Sequence, residues 1–430
     1  MNRQFARAFQ WGKGRRAQTI VDQIIVSGSN FATGVILVRG LGLTEFGKFA
    51  VAYAILLLAN SVQLSFISSP MITLGSLCTT AADRKRFVRG MFGVQLIFCF
   101  IAAAASLAAV IVYIVLSGTA ASVGMVAAFC AAVALYLMQD WLRRYYFTAG
   151  KAAASVWNDV ISYVGQIVLL GLLLWFRRLN IETAFWAIAL TSGLAFAMGA
   201  RLERMGCNLA QTRESWQQAK KISMHLGISN QLQWLVYQGA MLVGAGIAGP
   251  QAAGGVRATQ NVIGPVNIAY QAMENIVPIR AAEEMRRGGM QRAAAFLLRF
   301  GSAGFVALLI AFSAVSLVSG RFLVFFYGHQ LKLYANVLNM QMLYFLLAWP
   351  VRQLSFLFRT IKKTAPMLNS SIAAAVISMT LVYPMVRNFG ALGIVIAAVA
   401  GQAGNLFYLA AAWIRINSTP SVNAVDIQTV

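Results

Sequence analysis

Residues 90–139 read GMFGVQLIFCFIAAAASLAAVIVYIVLSGTAASVGMVAAFCAAVALYLMQ, and no charged side chain interrupts them. A helix needs ~20 mostly apolar residues to cross the hydrocarbon core of a bilayer, so this stretch is too long for one crossing. It breaks at Ser117-Gly118-Thr119, which indicates two spanning helices joined by a tight turn. The stretch therefore predicts a membrane protein whose chain crosses more than once.

The rest of the chain follows the same pattern. Of its 430 residues, 59% are hydrophobic and only 11% are charged, and the mean hydropathy is +0.69. Apolar runs, divided at their breaks, predict an all-α polytopic membrane fold of about twelve helices. The predicted spans are 19–39, 46–70, 91–117, 121–142, 155–176, 182–202, 223–248, 255–281, 294–318, 334–358, 367–386 and 391–414.

The connections between these helices alternate in charge. One set carries most of the basic residues, including those of 84–89 together with Arg143 and Arg144, whereas the opposite set is short and nearly bare. The positive-inside rule places the first set, and both chain termini, in the cytoplasm. This placement accounts for the net charge of +23, so membrane lipids are expected partners and nucleic acid is not.

Neither a cleavable signal nor a metal site is expected. Residues 1–17 are basic and lack an apolar h-region followed by a small-residue cleavage site. The four cysteines show no paired spacing, so disulfides are not expected either.

Weak self-similarity predicts that the chain contains two halves of the same orientation. The matches pair Gly47 with Gly255, Pro70 with Pro278, Thr148 with Thr360 and Lys151 with Lys363. We therefore predict two pseudo-symmetric six-helix lobes around a central cavity, with their boundary in 203–221, the longest hydrophilic connection. The predicted domains are a basic cytoplasmic N-terminus (1–18), an N-lobe (19–212), a C-lobe (213–415) and a disordered cytoplasmic tail (416–430).

The predicted eighth helix is unusually polar for a membrane span. Its polar positions fall within an arc of roughly 140°. They include Arg257, Gln260, Asn261, Asn267, Gln271, Glu274 and Asn275. A charge at mid-bilayer costs at least ~2.5 kcal/mol unless it is hydrated or paired, so this face is predicted to line a polar cavity. Pro265 permits a kink, and interhelical hydrogen bonding is the alternative role of the polar face.

Cations outnumber anions within the predicted spans. The cations are Arg39, Lys48, Arg201, Arg257, Arg280, Arg299 and Arg352, and the anions are Asp22, Asp140, Asp159, Glu182 and Glu274. An enclosed cationic cavity suits an anionic cargo such as a diphosphate. Arg352 lies deepest, whereas cations near helix ends have snorkelling to headgroups as their alternative role.

The membrane-embedded acids are candidates for coupling transport to an ion. Asp22, Asp159 and Glu274 are the predicted H⁺ or Na⁺ sites, and no other cofactor is expected. The alternative for Asp22 and Asp159 is that each neutralises an arginine. Asp140 and Glu182 lie at the ends of predicted spans and are expected to be solvated.

The first two predicted helices carry the most specific family signal. The segments 29–31, 36–42 and 45–49 read SNF, ILVRGLG and EFGKF. They resemble the opening of Wzx-type polysaccharide flippases, whose superfamily also holds multidrug and toxin extrusion exporters and the lipid II flippase. The resemblance implies a bacterial inner-membrane protein that moves an undecaprenyl-diphosphate-linked oligosaccharide to the periplasmic leaflet by alternating access, alongside other polysaccharide-assembly proteins.

The resemblance also assigns residues to the cavity. It implies functional cavity roles for Arg39, Arg257, Arg352, Asp22 and Glu274. With the polar face of the eighth helix, the predicted cargo-binding residues are Arg257, Asn261, Asn267, Gln271, Glu274, Arg352 and Arg39.

Three alternatives to this function remain open. A small-molecule or multidrug exporter favours cationic substrates and an acidic cavity, unlike the predicted basic one. The lipid II flippase has two further helices. A membrane polymerase or ligase presents a large external loop with catalytic residues, whereas the longest external connection predicted here, 319–333, is short. An enzyme is therefore not expected.

Overall fold

The protein is built from twelve helices, α1 to α12, in the part of the chain that the structure describes. That structure is a computed structural model, and it describes residues 24–117, 122–361, 363 and 365–418. The predicted N-terminal segment 1–18, Asp22 and most of the predicted tail lie outside these residues. The predicted all-α class is confirmed, and each predicted span overlaps one observed helix.

The helix bounds are as follows. They are α1 Ile24–Leu41, α2 Leu43–Leu77, α3 Ala81–Ser117, α4 Val123–Thr148, α5 Ala152–Trp175, α6 Ile181–Leu202, α7 Leu209–Ala248, α8 250–287, α9 290–327, α10 Ala335–Thr360, α11 Ala365–Phe389 and α12 Ala391–Asn417. Three of these helices contain one π-helical turn each, at Leu64–Ser68 in α2, Val160–Val164 in α5 and Leu235–Gly239 in α7.

Most of these helices have the length and composition of membrane spans. Among the described residues, nine helical segments are long and apolar enough to cross a bilayer, so the protein is a multi-pass membrane protein. Three helices, α7, α8 and α10, are not among the nine. These three carry polar residues through their middle turns, and the position of those residues defines the site described below.

The described residues form two compact units. Unit 1 ends at Gln231 and unit 2 begins at Leu232, so the division falls inside α7. The core of unit 1 contains Phe129, Trp141 and Phe185, which are all buried. In unit 2, Val351, Phe358 and Leu409 pack together from α10 and α12. The domain boundary drawn from the sequence at residues 212 and 213 stays a prediction.

The connection between α6 and α7 is shorter than predicted. Residues 203–221 were expected to form the longest loop, but α7 already begins at Leu209. Its first turns lie on α3, where the Ser215 hydroxyl donates a hydrogen bond to the Phe87 carbonyl (3.1 Å) and Arg86 pairs with Glu214 (2.8 Å). The prediction was wrong because a polar surface helix has the composition of a loop.

The predicted external connection 319–333 is also mostly helical. Helix α9 continues to residue 327, and a 3₁₀ helix follows at His329–Tyr334. Between α8 and α9, the helical backbone is broken at Gly288 and Gly289, and Gly289 has a φ of 70°. Because residues other than glycine rarely adopt this conformation, the glycine at position 289 determines where the chain turns. Helix α8 continues through Pro265.

Candidate functional site

Unit 2 contains a polar cavity of about 260 Å³. Helices α7, α8, α10, α11 and α12 all contribute to its wall. The polar side chains that line it are Gln233, Gln238, Asn267, Arg352, Ser355, Arg359, Ser371, Gln402 and Asn405, and three tyrosines line it as well. Two predicted cargo residues, Asn267 and Arg352, are therefore brought together.

Arg352 is held against an aromatic wall of the cavity. Its guanidinium carbon lies 4.5 Å from the centroid of the Tyr270 ring, within the range of a cation–π contact. Tyr270 is buried, and its hydroxyl donates a hydrogen bond to the Phe345 carbonyl, which fixes the ring. Tyr344 stacks on Tyr237 with a centroid distance of 4.5 Å. Arg352 is thus positioned by rigid neighbours and lies at the cavity surface.

The described lining of the cavity is positively charged. It contains Arg352 and Arg359, and no Asp or Glu is found among those lining residues. Glu274, which lies one turn after Tyr270 on α8, and Gln271 have side chains outside the described part of the structure. An anion that enters this cavity meets two guanidinium groups, which bind phosphate oxygens in bidentate geometry.

Helix α12 supplies two buried amides to the same cavity. Gln402 is 6% exposed and Asn405 is 4% exposed. The side-chain oxygen of Asn405 accepts no hydrogen bond from the described residues. A buried polar atom without a partner is costly, so this end of the cavity is suited to a ligand that donates hydrogen bonds. Sequence reasoning missed both residues because single amides in an apolar helix also serve helix packing.

Two other predicted cargo residues lie on α8 but not at this cavity. Arg257 donates a hydrogen bond to the side-chain oxygen of Gln260 (3.2 Å), and neither Arg257 nor Asn261 lines the cavity. Arg257 precedes Asn267 by ten residues, or about 15 Å along an α-helix. Arg39 is an exposed residue at the end of α1, in unit 1. Their roles as cargo residues stay predictions.

Unit 1 contains a buried network of ion pairs. Arg143 pairs with Asp159 (2.8 Å), and their side chains are 8% and 0% exposed. Arg144 pairs with Asp140 (2.9 Å), whose carboxylate also accepts a hydrogen bond from the Gln63 amide (3.2 Å). Each acid therefore has its own arginine, and the network is electrically balanced.

Further amides extend this network. Gln139 donates to Asn158 (2.7 Å) and to Asp159 (3.2 Å), and Gln95 donates to Gln63 (3.2 Å). The expectation that Asp140 is solvated was wrong, because Asp140 is only 2% exposed.

Arg143, Arg144 and Glu182 also lie in surroundings that differ from those predicted. Arg143 and Arg144 were assigned to a loop, yet both lie within α4. Glu182 is half-buried and accepts a hydrogen bond from the Ser122 hydroxyl (3.0 Å). The spacing of Asp140 and Arg144, one helical turn apart, was the available signal for the ion pair.

The repeat relates this network to the cavity of unit 2. Helix α4 runs from residue 123 to 148 and α10 from 335 to 360, so both ends differ by the same 212 positions. At this offset Asp140 corresponds to Arg352, and Asp159 corresponds to Ser371. The two acids that pair with arginines in unit 1 thus correspond in unit 2 to a cation and a small hydroxyl, and both of these residues line the cavity.

Comparisons with known proteins identify the fold. The inward-closed lipid II flippase MurJ matches with a TM-score of 0.68 and 11% identity, over 93% of this chain and 87% of that chain. A MOP superfamily transporter from Pyrococcus furiosus matches with a TM-score of 0.65 and 15% identity, over 93% of this chain and 94% of that chain. That transporter is described as having a binding pocket of reverse polarity, which suggests a different function. A MATE protein in complex with MaL6 matches with a TM-score of 0.64 and 16% identity, over 94% of this chain and 96% of that chain.

These identities show a shared fold. The chain therefore has the fold of the MOP superfamily transporters. No protein-family model and no curated protein matches the sequence.

Proposed function

We propose that the protein is a flippase that moves an anionic lipid-linked oligosaccharide, of the undecaprenyl-diphosphate type, from the cytoplasmic to the periplasmic leaflet by alternating access. The observation that carries this proposal is the unit-2 cavity with Arg352 and Arg359 and no acid in its described lining. The fold shared with a lipid II flippase supports it. So does the resemblance of the first two helices to Wzx-type flippases.

The cavity chemistry suits the diphosphate part of such a cargo. Two arginines can hold phosphate oxygens by charge-assisted hydrogen bonds, and the surrounding protein strengthens each contact relative to water. The cavity volume of about 260 Å³ is slightly smaller than a typical small-molecule site of roughly 300–1,000 Å³. It therefore suits one diphosphate or one sugar rather than a whole oligosaccharide.

The amides and tyrosines of the cavity suit the neighbouring sugar. Gln402, Asn405 and Asn267 offer both donors and acceptors, which match sugar hydroxyls. Aromatic rings such as Tyr344 provide flat apolar faces beside these groups. In this proposal Arg352 binds the diphosphate, and the α12 amides contact the first sugar.

Energy for the cycle is proposed to come from H⁺ or Na⁺. Asp22, Asp159 and Glu274 remain the candidate ion sites, and of these only Asp159 has a described side chain, which pairs with Arg143. Coupling through Asp159 would require this pair to open during transport. The proposed location is the bacterial inner membrane with both termini cytoplasmic, next to other polysaccharide-assembly proteins.

A small-molecule exporter is the second candidate function. The similar fold of MATE proteins and the modest volume of the unit-2 cavity favour it. The two candidates differ in the charge of the cargo, because the described cavity lining favours an anion. Binding of an organic cation in preference to a diphosphate would support the exporter.

Charge reversal at Arg352 tests the flippase directly. In cells that depend on the protein for surface polysaccharide, R352E should abolish the polysaccharide, and R352K should retain part of it because lysine keeps the charge but loses the bidentate geometry. The matched control is K332E, a reversal at an exposed cation of unit 2 outside the cavity. If cells with R352E make normal amounts of polysaccharide, at wild-type protein levels in the membrane, Arg352 does not bind the cargo.

A further inference from the structure

Unit 1 contains an apolar groove of about 510 Å³ that the transport proposal does not use. Helix α2 contributes Phe66 to it, α3 contributes Val94 and Ile97, and the start of α7 contributes Arg213 and Trp216. Apart from Arg213 and Thr212, the described lining is hydrophobic. The described lining of the groove is therefore apolar, with Arg213 as its one cation.

The wall made by α7 lies close against α3. Helix α3 approaches it through two glycines: a methyl group on Gly90 would lie 2.3 Å from the Gln211 carbonyl oxygen, and one on Gly93 would lie 2.0 Å from the Thr212 hydroxyl. Side chains at these positions would force the helices apart. The close approach brings Arg213 and Trp216 to the groove.

The groove opens on a face suited to lipid. Ile97 and Ile101 line it and are still 53% and 56% exposed. Positions 94 to 101 of α3 cover about 10 Å along the helix, which is a substantial part of one leaflet of the hydrocarbon core. An occupant from the membrane can therefore enter sideways.

The charge of Arg213 indicates the headgroup of this occupant. Arg213 is exposed, and it forms no ion pair and no hydrogen bond with any residue that the structure describes. The adjacent acid, Glu214, is already paired with Arg86 at 2.8 Å. Trp216 is half-buried beside it, as is typical of indoles at the headgroup level. A cation in the wall of an apolar groove complements an anionic lipid.

We propose that this groove binds one acyl chain of an anionic phospholipid, with the phosphate of the headgroup on Arg213. By the positive-inside rule, this end of α3 and the start of α7 face the cytoplasmic leaflet, which carries the anionic lipids. The lipid would fill the space between α2, α3 and α7. The proposal stands independently of the transported cargo.

Native mass spectrometry of the purified full chain tests the site. The protein is titrated with phosphatidylglycerol and, separately, with phosphatidylcholine of the same acyl chains. Phosphatidylglycerol should bind more tightly, and R213A should weaken it about fivefold, since one arginine near an anionic lipid is worth ~1 kcal/mol. V94W should remove binding of both lipids by filling the groove.

Two control variants make the result specific. K220A removes another exposed cation of α7 that does not line the groove, and L96W places an indole on the exposed face of α3 outside it. Both should bind phosphatidylglycerol as the wild type does. Equal binding of the two lipids to the wild-type protein would overturn the proposal. So would an unchanged affinity in R213A and V94W, or displacement of phosphatidylglycerol by equimolar undecaprenyl phosphate.

Discussion

Breaking the buried pair of Arg143 and Asp159 should reveal its contribution to stability. The two side chains are 8% and 0% exposed, and their nitrogen and oxygen lie 2.8 Å apart. Removing one partner of a buried pair costs ~3–5 kcal/mol because the other charge is left without compensation. D159N and R143M should therefore each lower the free energy of unfolding by about 3 kcal/mol, the lower end, since the Gln139 amide still contacts the Asp159 position.

The double variant separates the pair from its surroundings. Replacing both members by uncharged groups removes the uncompensated charge, so R143M/D159N should lose less than either single variant. The measurement is reversible unfolding of the purified protein in mixed micelles, analysed as a double-mutant cycle. Additive losses, about 6 kcal/mol for the double variant, would show that Arg143 and Asp159 do not compensate each other.

An exposed pair with the same nitrogen–oxygen distance provides the control for this cycle. Arg86 and Glu214 also lie 2.8 Å apart, but their side chains are 63% and 47% exposed. Exposed pairs contribute ~0–1 kcal/mol, so the same cycle with R86M and E214Q should yield a coupling energy of that size. Equal coupling energies for the two pairs would show that burial does not set the value.

Two further substitutions test the cavity and the turn between α8 and α9. S371D places in unit 2 the acid that unit 1 carries at the equivalent position. It should weaken the binding of farnesyl diphosphate about tenfold, measured by calorimetry, because the new carboxylate neutralises a cavity arginine. S370D is the adjacent control, and an unchanged affinity in S371D would argue against an anion site. G289A forces a side chain into a φ of 70° with a ψ of −167° and should lower the free energy of unfolding by ~1–3 kcal/mol, whereas no loss would mean that this turn relaxes.

The helices could be predicted from the sequence where apolar runs are long. The polar start of α7 and the aromatic end of α9 extend beyond such runs, and they were not predicted as helix. The run 90–139 gives α3 and α4 with their break in the expected place. The start of α7 at Leu209 was missed, because its first turns are mostly polar and pack on α3 through the small side chains of Thr212 and Ser215. Only tertiary contacts distinguish such a segment from a loop.

The candidate site could be predicted in part. Arg352 and Asn267 stood out because polar residues in apolar spans need a polar environment, and both line the unit-2 cavity. Arg359 was assigned to a loop, and it lines the same cavity from the last turn of α10. The partners of Asp140 and Asp159 could not be chosen from the sequence alone, because several arginines were available to them.

A flippase for an anionic lipid-linked oligosaccharide is required to clear that lipid from the cytoplasmic leaflet. The decisive experiment is mass spectrometry of total lipids from cells depleted of the protein. We expect an undecaprenyl-diphosphate oligosaccharide to accumulate and surface polysaccharide to be lost, and the mass of that lipid would identify the cargo. An unchanged lipid profile with intact surface polysaccharide would contradict the flippase function, and the unit-2 cavity would then need a soluble ligand.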